Sequence, residues 1–141
     1  MFCEPDALFD GNAWSMWTAS HWHIPLTAVA AYLLLIANKS RVPTCSCDGA
    51  LKKWNASLFI FSCAGAIVCV PKLLTIASSG WRGMVCYSPS LYGCDAVGLF
   101  VMLFVYSKFV ELGDTVFLVI RGKRVSILHA YHHISVLIFC W

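Results

Sequence analysis

Four long apolar runs, at about residues 22–38, 56–77, 96–120 and 127–141, constrain this chain more than any other feature. Apolar residues are continuous within each run rather than alternating, the pattern of helices surrounded by apolar matter and not of half-buried strands. A helix rises 1.5 Å per residue, so about 20 such residues cross a hydrocarbon core of about 30 Å. The first three runs reach or approach that length. The fourth rises about 22 Å and is still apolar at Trp141, where the sequence stops with no charged or interfacial residue to close the helix. The expectation is therefore a fragment, with three complete spans and an incomplete fourth.

Composition identifies the solvent. Of 141 residues, 60% are hydrophobic and 12% charged, with a mean hydropathy of +0.74. A soluble domain ordinarily carries about 25% charged residues, and one this small has too little interior to hide so much apolar surface. The expected fold class is all-α, a multi-spanning transmembrane helix bundle. No internal repeat, linker or low-complexity stretch divides it, so 1–141 reads as one domain.

Other classes recede on inspection. The net charge of +3 is modest and no basic stripe alternates with aromatics, which excludes a nucleic-acid partner. Eight cysteines do not make a disulfide scaffold here, because Cys63, Cys69 and Cys140 sit within apolar runs and behave as small hydrophobes. Cys45-Ser46-Cys47 lacks metal-site or redox spacing. Cys3, Cys86 and Cys94 fall where an oxidising lumen is expected, and one disulfide is open to them. The start carries Glu4, Asp6 and Asp10 and no base, the reverse of a cleaved signal, so the first run is expected to be retained.

Charge placement orients the bundle. Acids precede the first run, whereas Lys39, Arg41, Lys52 and Lys53 follow it. Only Arg82 follows the second run, and Arg121, Lys123 and Arg124 follow the third. By the positive-inside rule the amino terminus is lumenal and both basic loops are cytosolic. The sequons at Asn38 and Asn55 then lie on the wrong side for glycosylation. His21 and His23, with Trp14 and Trp17, read as an interfacial belt.

Two polar constellations interrupt the apolar background. His129, His132 and His133 are three and four residues apart and share a helical face, a grouping suited to proton transfer, nucleophilic catalysis or metal binding. Lys108, Glu111 and Thr115 share a face of the preceding run, with Asp114 just off it. Charges at that depth are costly and face protein or a polar cavity. Lys108 and Glu111 either form a pair that merely satisfies both charges or help order a polar pocket. A tight turn over 121–126 makes the two runs an antiparallel hairpin, bringing Thr115 opposite the histidines, where the carboxylates are expected to orient the imidazoles. Asn55 either caps the second helix or hydrogen-bonds inside the bundle.

Lys108-x-x-Glu111-x-x-Asp114-Thr115 followed by His129-x-x-His132-His133 resembles the paired signatures of the ELO family of very-long-chain fatty acid elongases. Lys53-Trp54-Asn55-x-x-Leu58-x-x-Phe61-Ser62-x-x-Gly65 is similar to the family's opening of its second helix. The likeness covers most of this chain but about half of a family member. It implies a seven-helix protein of the endoplasmic reticulum membrane, multi-pass, that condenses malonyl-CoA with a long-chain acyl-CoA to give a 3-oxoacyl-CoA, carbon dioxide and CoA. Both thioesters are substrates, and neither a cofactor nor a metal is implied. The acyl chain would occupy a closed tunnel between helices, and the reductases and dehydratase of the elongation cycle, or another elongase, would be partners. Carried onto this sequence, His132 is the nucleophile, with His129 and His133 orienting groups or exchanging protons. Lys108, Glu111, Asp114, Thr115 and Asn55 would bind substrate or order the site. The sequence ends before the family's later histidine- and tyrosine-bearing box, so elongation by this fragment unaided is not expected.

Two rivals stand beside that reading. Membrane di-iron desaturases and hydroxylases also use H-x-x-H-H boxes but need roughly eight histidines in several clusters, against five here. A non-catalytic membrane protein that packs on a partner is the other.

Overall fold

A computed structural model describes residues 9–78, 80–81 and 93–141. Its regular elements are helical: α1 (Gly11–Ser20), α2 (His23–Ala37), a 3-10 turn (Lys39–Arg41), α3 (Asp48–Ser78), α4 (Asp95–Glu111), α5 (Gly113–Ile120) and α6 (Ile127–Cys140). By length and composition, α3 and the span Asp95–Ile120 can each cross a membrane, and α1 with α2 makes a third if that broken pair counts as one. α6 is a shorter apolar helix. Large apolar side chains such as Phe59, Ile67, Leu74 and Phe139 stand exposed, the inverse of a water-soluble surface and the requirement of a lipid-facing one. The protein is an all-α, multi-spanning membrane bundle.

Several boundaries differ from the apolar runs. α1 precedes the first run and is polar enough to escape a hydropathy reading; Asp10 Oδ1 accepts the Asn12 N–H at 2.9 Å at its start. α3 begins at Asp48, two turns before the second run, so Lys52, Lys53, Trp54 and Asn55 are helical rather than loop residues. It also continues through Pro71. The third run is two helices, broken at Leu112, where the Leu112 and Thr115 amides reach back only three residues, to Phe109 and Leu112.

The chain forms two compact units, Met1–Trp17 with Ala56–Phe104, and Thr18–Asn55 with Val105–Trp141. In the first, backbone hydrogen bonds join Gly11 to Gly93 and Asp95 to Phe9. Cys94, beside this junction, is disulfide-bonded, while Cys3, Cys86 and Arg82 lie outside the described residues. Phe61 and Phe100 approach with ring centroids 6.5 Å apart, beside an apolar cavity of about 300 Å³ that Gly65, Cys69 and Phe104 also line.

In the second unit α2 packs against α6. Its interior holds Tyr32, Thr115, Val119, His133 and Leu137. Trp141 sets its indole edge-on to Tyr106 and Phe109 at 5.9 and 5.5 Å. Polar residues thus share the core of this unit, and the histidines belong to it.

Candidate active site

The turn that carries the histidines is held at both ends by local chemistry. α5 stops at a left-handed Gly122 (φ 65°). There the Gly122 amide donates to Val119 O and the Lys123 amide to Leu118 O, each at 2.9 Å, the Schellman arrangement that closes a helix end. α6 starts where Ser126 Oγ accepts the His129 N–H at 3.1 Å, a side-chain N-cap. Ile120 O also accepts the Cys45 amide at 2.9 Å, and Arg121 pairs with Asp48 Oδ1 at 2.9 Å, fastening the turn to the segment before α3. That pair is largely exposed, so it guides geometry more than it stabilises.

With the turn fixed, α6 gathers its imidazoles, tilted or edge-on to one another. His129 and His133 have ring centroids 4.4 Å apart, and His132 and His133 5.6 Å. His133 is buried at 9% exposure, beside Tyr32 at 6.4 Å between ring centroids. His132 is exposed, and among the described residues its ring makes no hydrogen bond.

Thr115 is the contact between the two constellations. Fully buried, its Oγ1 lies 2.9 Å from His129 Nε2 and 2.9 Å from Tyr32 Oη. The hairpin expectation of Thr115 opposite the histidines holds. The expectation for the carboxylates does not. Glu111 Oε1 accepts from Lys108 Nζ at 2.7 Å and Ser107 Oγ at 3.1 Å, and Asp114 Oδ1 accepts from Trp54 Nε1 at 2.6 Å. Among the described residues neither carboxylate hydrogen-bonds an imidazole. The reason is competition: each carboxylate is taken by a donor nearer to it, Glu111 by Lys108 and Ser107 and Asp114 by Trp54, and the threonine hydroxyl takes the orienting position.

Asn55, Asp114, Arg121 and His129 line one cavity of about 310 Å³, with Leu51 and Leu118 as apolar walls. Asn55 therefore faces the pocket from within α3 instead of capping that helix. Lys108 and Glu111 form their ion pair in the preceding helix, with side chains 11% and 25% exposed, and are not among the cavity's walls. Among the described residues no group of three His, Cys, Asp or Glu side chains is arranged to hold a metal ion. Sequence reasoning passed over Tyr32 and the chemical role of Trp54. A phenol in a lipid-embedded run, as Tyr32 is, must find a polar partner, and that signal was present.

Fold and site together define a polytopic helical membrane protein with an imidazole cluster held by a threonine hydroxyl. The profile of the ELO family, described as the GNS1/SUR4 family, matches residues 17–141. The chain belongs to that family. It is 29% identical to fatty acid elongase 3 of Trypanosoma cruzi over 94% of this chain and 54% of that protein. It is 37% identical to very long chain fatty acid elongase 6 of Drosophila melanogaster over 89% and 41%, and 42% identical to fatty acid elongase 2 of Trypanosoma cruzi over 62% and 32%. The chain spans about half the length, or less, of these curated relatives. No solved structure matches it significantly.

Proposed function

We propose that this chain carries the histidine-box half of a very-long-chain 3-oxoacyl-CoA synthase, which condenses malonyl-CoA with a long-chain acyl-CoA. The observation that carries the reading is the Thr115–His129 contact, which joins the Lys-Glu-Asp-Thr box to the histidine box at one pocket. Family membership and relatives named fatty acid elongases support it over the iron-dependent reading.

In this scheme His132 is the nucleophile, since its imidazole is accessible whereas His129 Nε2 is engaged by Thr115. The ring nitrogen forms a bond to the acyl carbon as the carbon–sulfur bond breaks, and CoA departs as its thiolate. Loss of carbon dioxide from malonyl-CoA leaves an enolate, whose carbon bonds to the acyl carbon as the imidazole leaves. No cofactor enters. His133 and His129 orient groups or exchange protons, while Lys108, Glu111, Asp114, Thr115 and Asn55 shape the polar end of the site. The membrane is that of the endoplasmic reticulum, with a lumenal amino terminus, and the cycle's reductases and dehydratase are the natural partners.

The test is His132→Ala in the complete protein, with acyl transfer from labelled acyl-CoA followed alongside membrane insertion. Loss of at least 100-fold in transfer, on the order expected for a covalent catalyst, with normal insertion is the expected result. Condensation at the unaltered rate removes His132 from the chemistry.

A further inference from the structure

Tyr32 sits in the apolar interior of α2, where its buried phenol needs a partner in the protein. It is 4% exposed, and its Oη lies 2.9 Å from Thr115 Oγ1 on α5. The same Oγ1 lies 2.9 Å from His129 Nε2 on α6. Three helices therefore meet through one threonine hydroxyl, which has a single proton to donate.

If Tyr32 and His129 both donated to Thr115 Oγ1, the threonine proton would itself be left without an acceptor in a fully buried place, so two proton arrangements remain. In the first, Tyr32 donates to Thr115 and Thr115 donates to His129 Nε2, which places the imidazole proton on Nδ1. In the second, His129 Nε2–H donates to Thr115 and Thr115 donates to Tyr32. The phenolic proton then has no acceptor among the described residues. Burial decides between them: the second strands the phenolic proton of Tyr32, 4% exposed, whereas the first leaves only the Nδ1–H of half-buried His129, which lines a cavity, without a protein acceptor.

We propose that Tyr32 is a positioning residue which, acting through Thr115, holds His129 in the Nδ1–H tautomer with its Nε2 lone pair occupied. His129 then offers the site an N–H donor rather than a base, leaving basic or nucleophilic work to His132 and His133. That division of labour rests on the elongase reading; the tautomer does not. Tyr32 is thus assigned a part in the site although it lies outside both sequence boxes.

Nitrogen NMR of the full chain, labelled with 15N-histidine and held in lipid nanodiscs at a pH where imidazoles are neutral, reads the tautomer without turnover. His129→Gln identifies the resonances. The wild-type chain is expected to show Nε2 unprotonated and Nδ1 protonated as one dominant form. Tyr32→Phe keeps the ring and removes the donor, so the expected result is loss of that single form to a mixture of tautomers. Thr115→Ser, which retains the hydroxyl, is expected to keep it. A wild-type chain dominated by Nε2–H overturns the proposal, and this reading needs no variant to fold. So does a Tyr32→Phe chain as uniformly Nδ1–H as wild type. A complete protein that fails to elongate while showing the Nδ1–H form sinks the elongase reading and leaves this one standing.

Discussion

Trp54 donates its indole N–H to Asp114 Oδ1 at 2.6 Å, passing directly over Gly113. The glycine is what permits the approach. A Cβ built there would meet Trp54 Cζ2 at 2.8 Å and Cη2 at 3.0 Å. The ring has little room to yield, since the hydrogen bond pins one side and Phe117 stands 5.5 Å away between centroids.

Gly113→Ala is therefore expected to destabilise the protein. Overpacking costs about 1–3 kcal/mol, whereas alanine's advantage over glycine is at most about 1 kcal/mol in a helix interior and smaller at the first residue of α5. Packing wins. Thermal unfolding in nanodiscs checks this, with a lowered midpoint expected; a midpoint equal to wild type would mean that Trp54 does not rest on residue 113.

What could be read from the sequence followed from the solvent. Continuous apolar runs revealed the spans because lipid imposes one rule on every outward side chain, and glycine-bearing, basic 121–126 stood out against it as a turn. The histidine face was legible because three imidazoles are too costly in such a setting to be accidental. Hydropathy said nothing of α1, whose residues are neither apolar enough nor patterned enough to distinguish a helix from a loop. Nor could a helical wheel drawn through 96–120 allow for the break at Leu112. Nor did the wheel show that Trp54, an indole on another helix, would take Asp114 and leave the orienting contact to Thr115. Tyr32 counted as one more apolar letter, though its hydroxyl was a debt that some neighbour had to meet.

The turn before the histidines yields a second expectation. Ser126→Ala removes the acceptor for the His129 N–H and is expected to cost about 1 kcal/mol, as N-cap losses do. Ser126→Asp restores an acceptor and should recover most of it. Gly122→Ala forces a Cβ into a left-handed residue, at about 1 kcal/mol, and brings that Cβ to 3.2 Å from Thr44 Cγ2. Because the two positions lie at opposite ends of one short turn, the double variant is expected to lose more than either single one. Unfolding midpoints of the four variants test this; no loss in Ser126→Ala would leave the cap without energetic weight.

Topology gives the third expectation, and exposed thiols provide its probe. Cys45 is exposed on the segment between the 3-10 turn and α3, among the basic residues that the positive-inside rule assigns to the cytosol. In sealed vesicles with the cytosolic face outward, a membrane-impermeant maleimide is expected to label Cys45 without permeabilisation, and Cys45→Ser to remove most of the signal. Cys63 and Cys69 lie within α3, a helix long and apolar enough to cross the membrane, and Cys140 within the apolar α6, where lipid keeps a membrane-impermeant reagent from them. Cys47 is half-buried and contributes less than its neighbour. On the same side, Asn38 and Asn55 are expected to carry no glycan. Asn38 Nδ2 already donates to Leu34 O at 2.9 Å, and Asn55 lies in helical backbone within α3 rather than in a loop. Labelling only after permeabilisation, or a glycan at Asn38, would invert the bundle. It would also place the Arg121–Asp48 pair, and the histidine pocket that Arg121 lines, on the lumenal side.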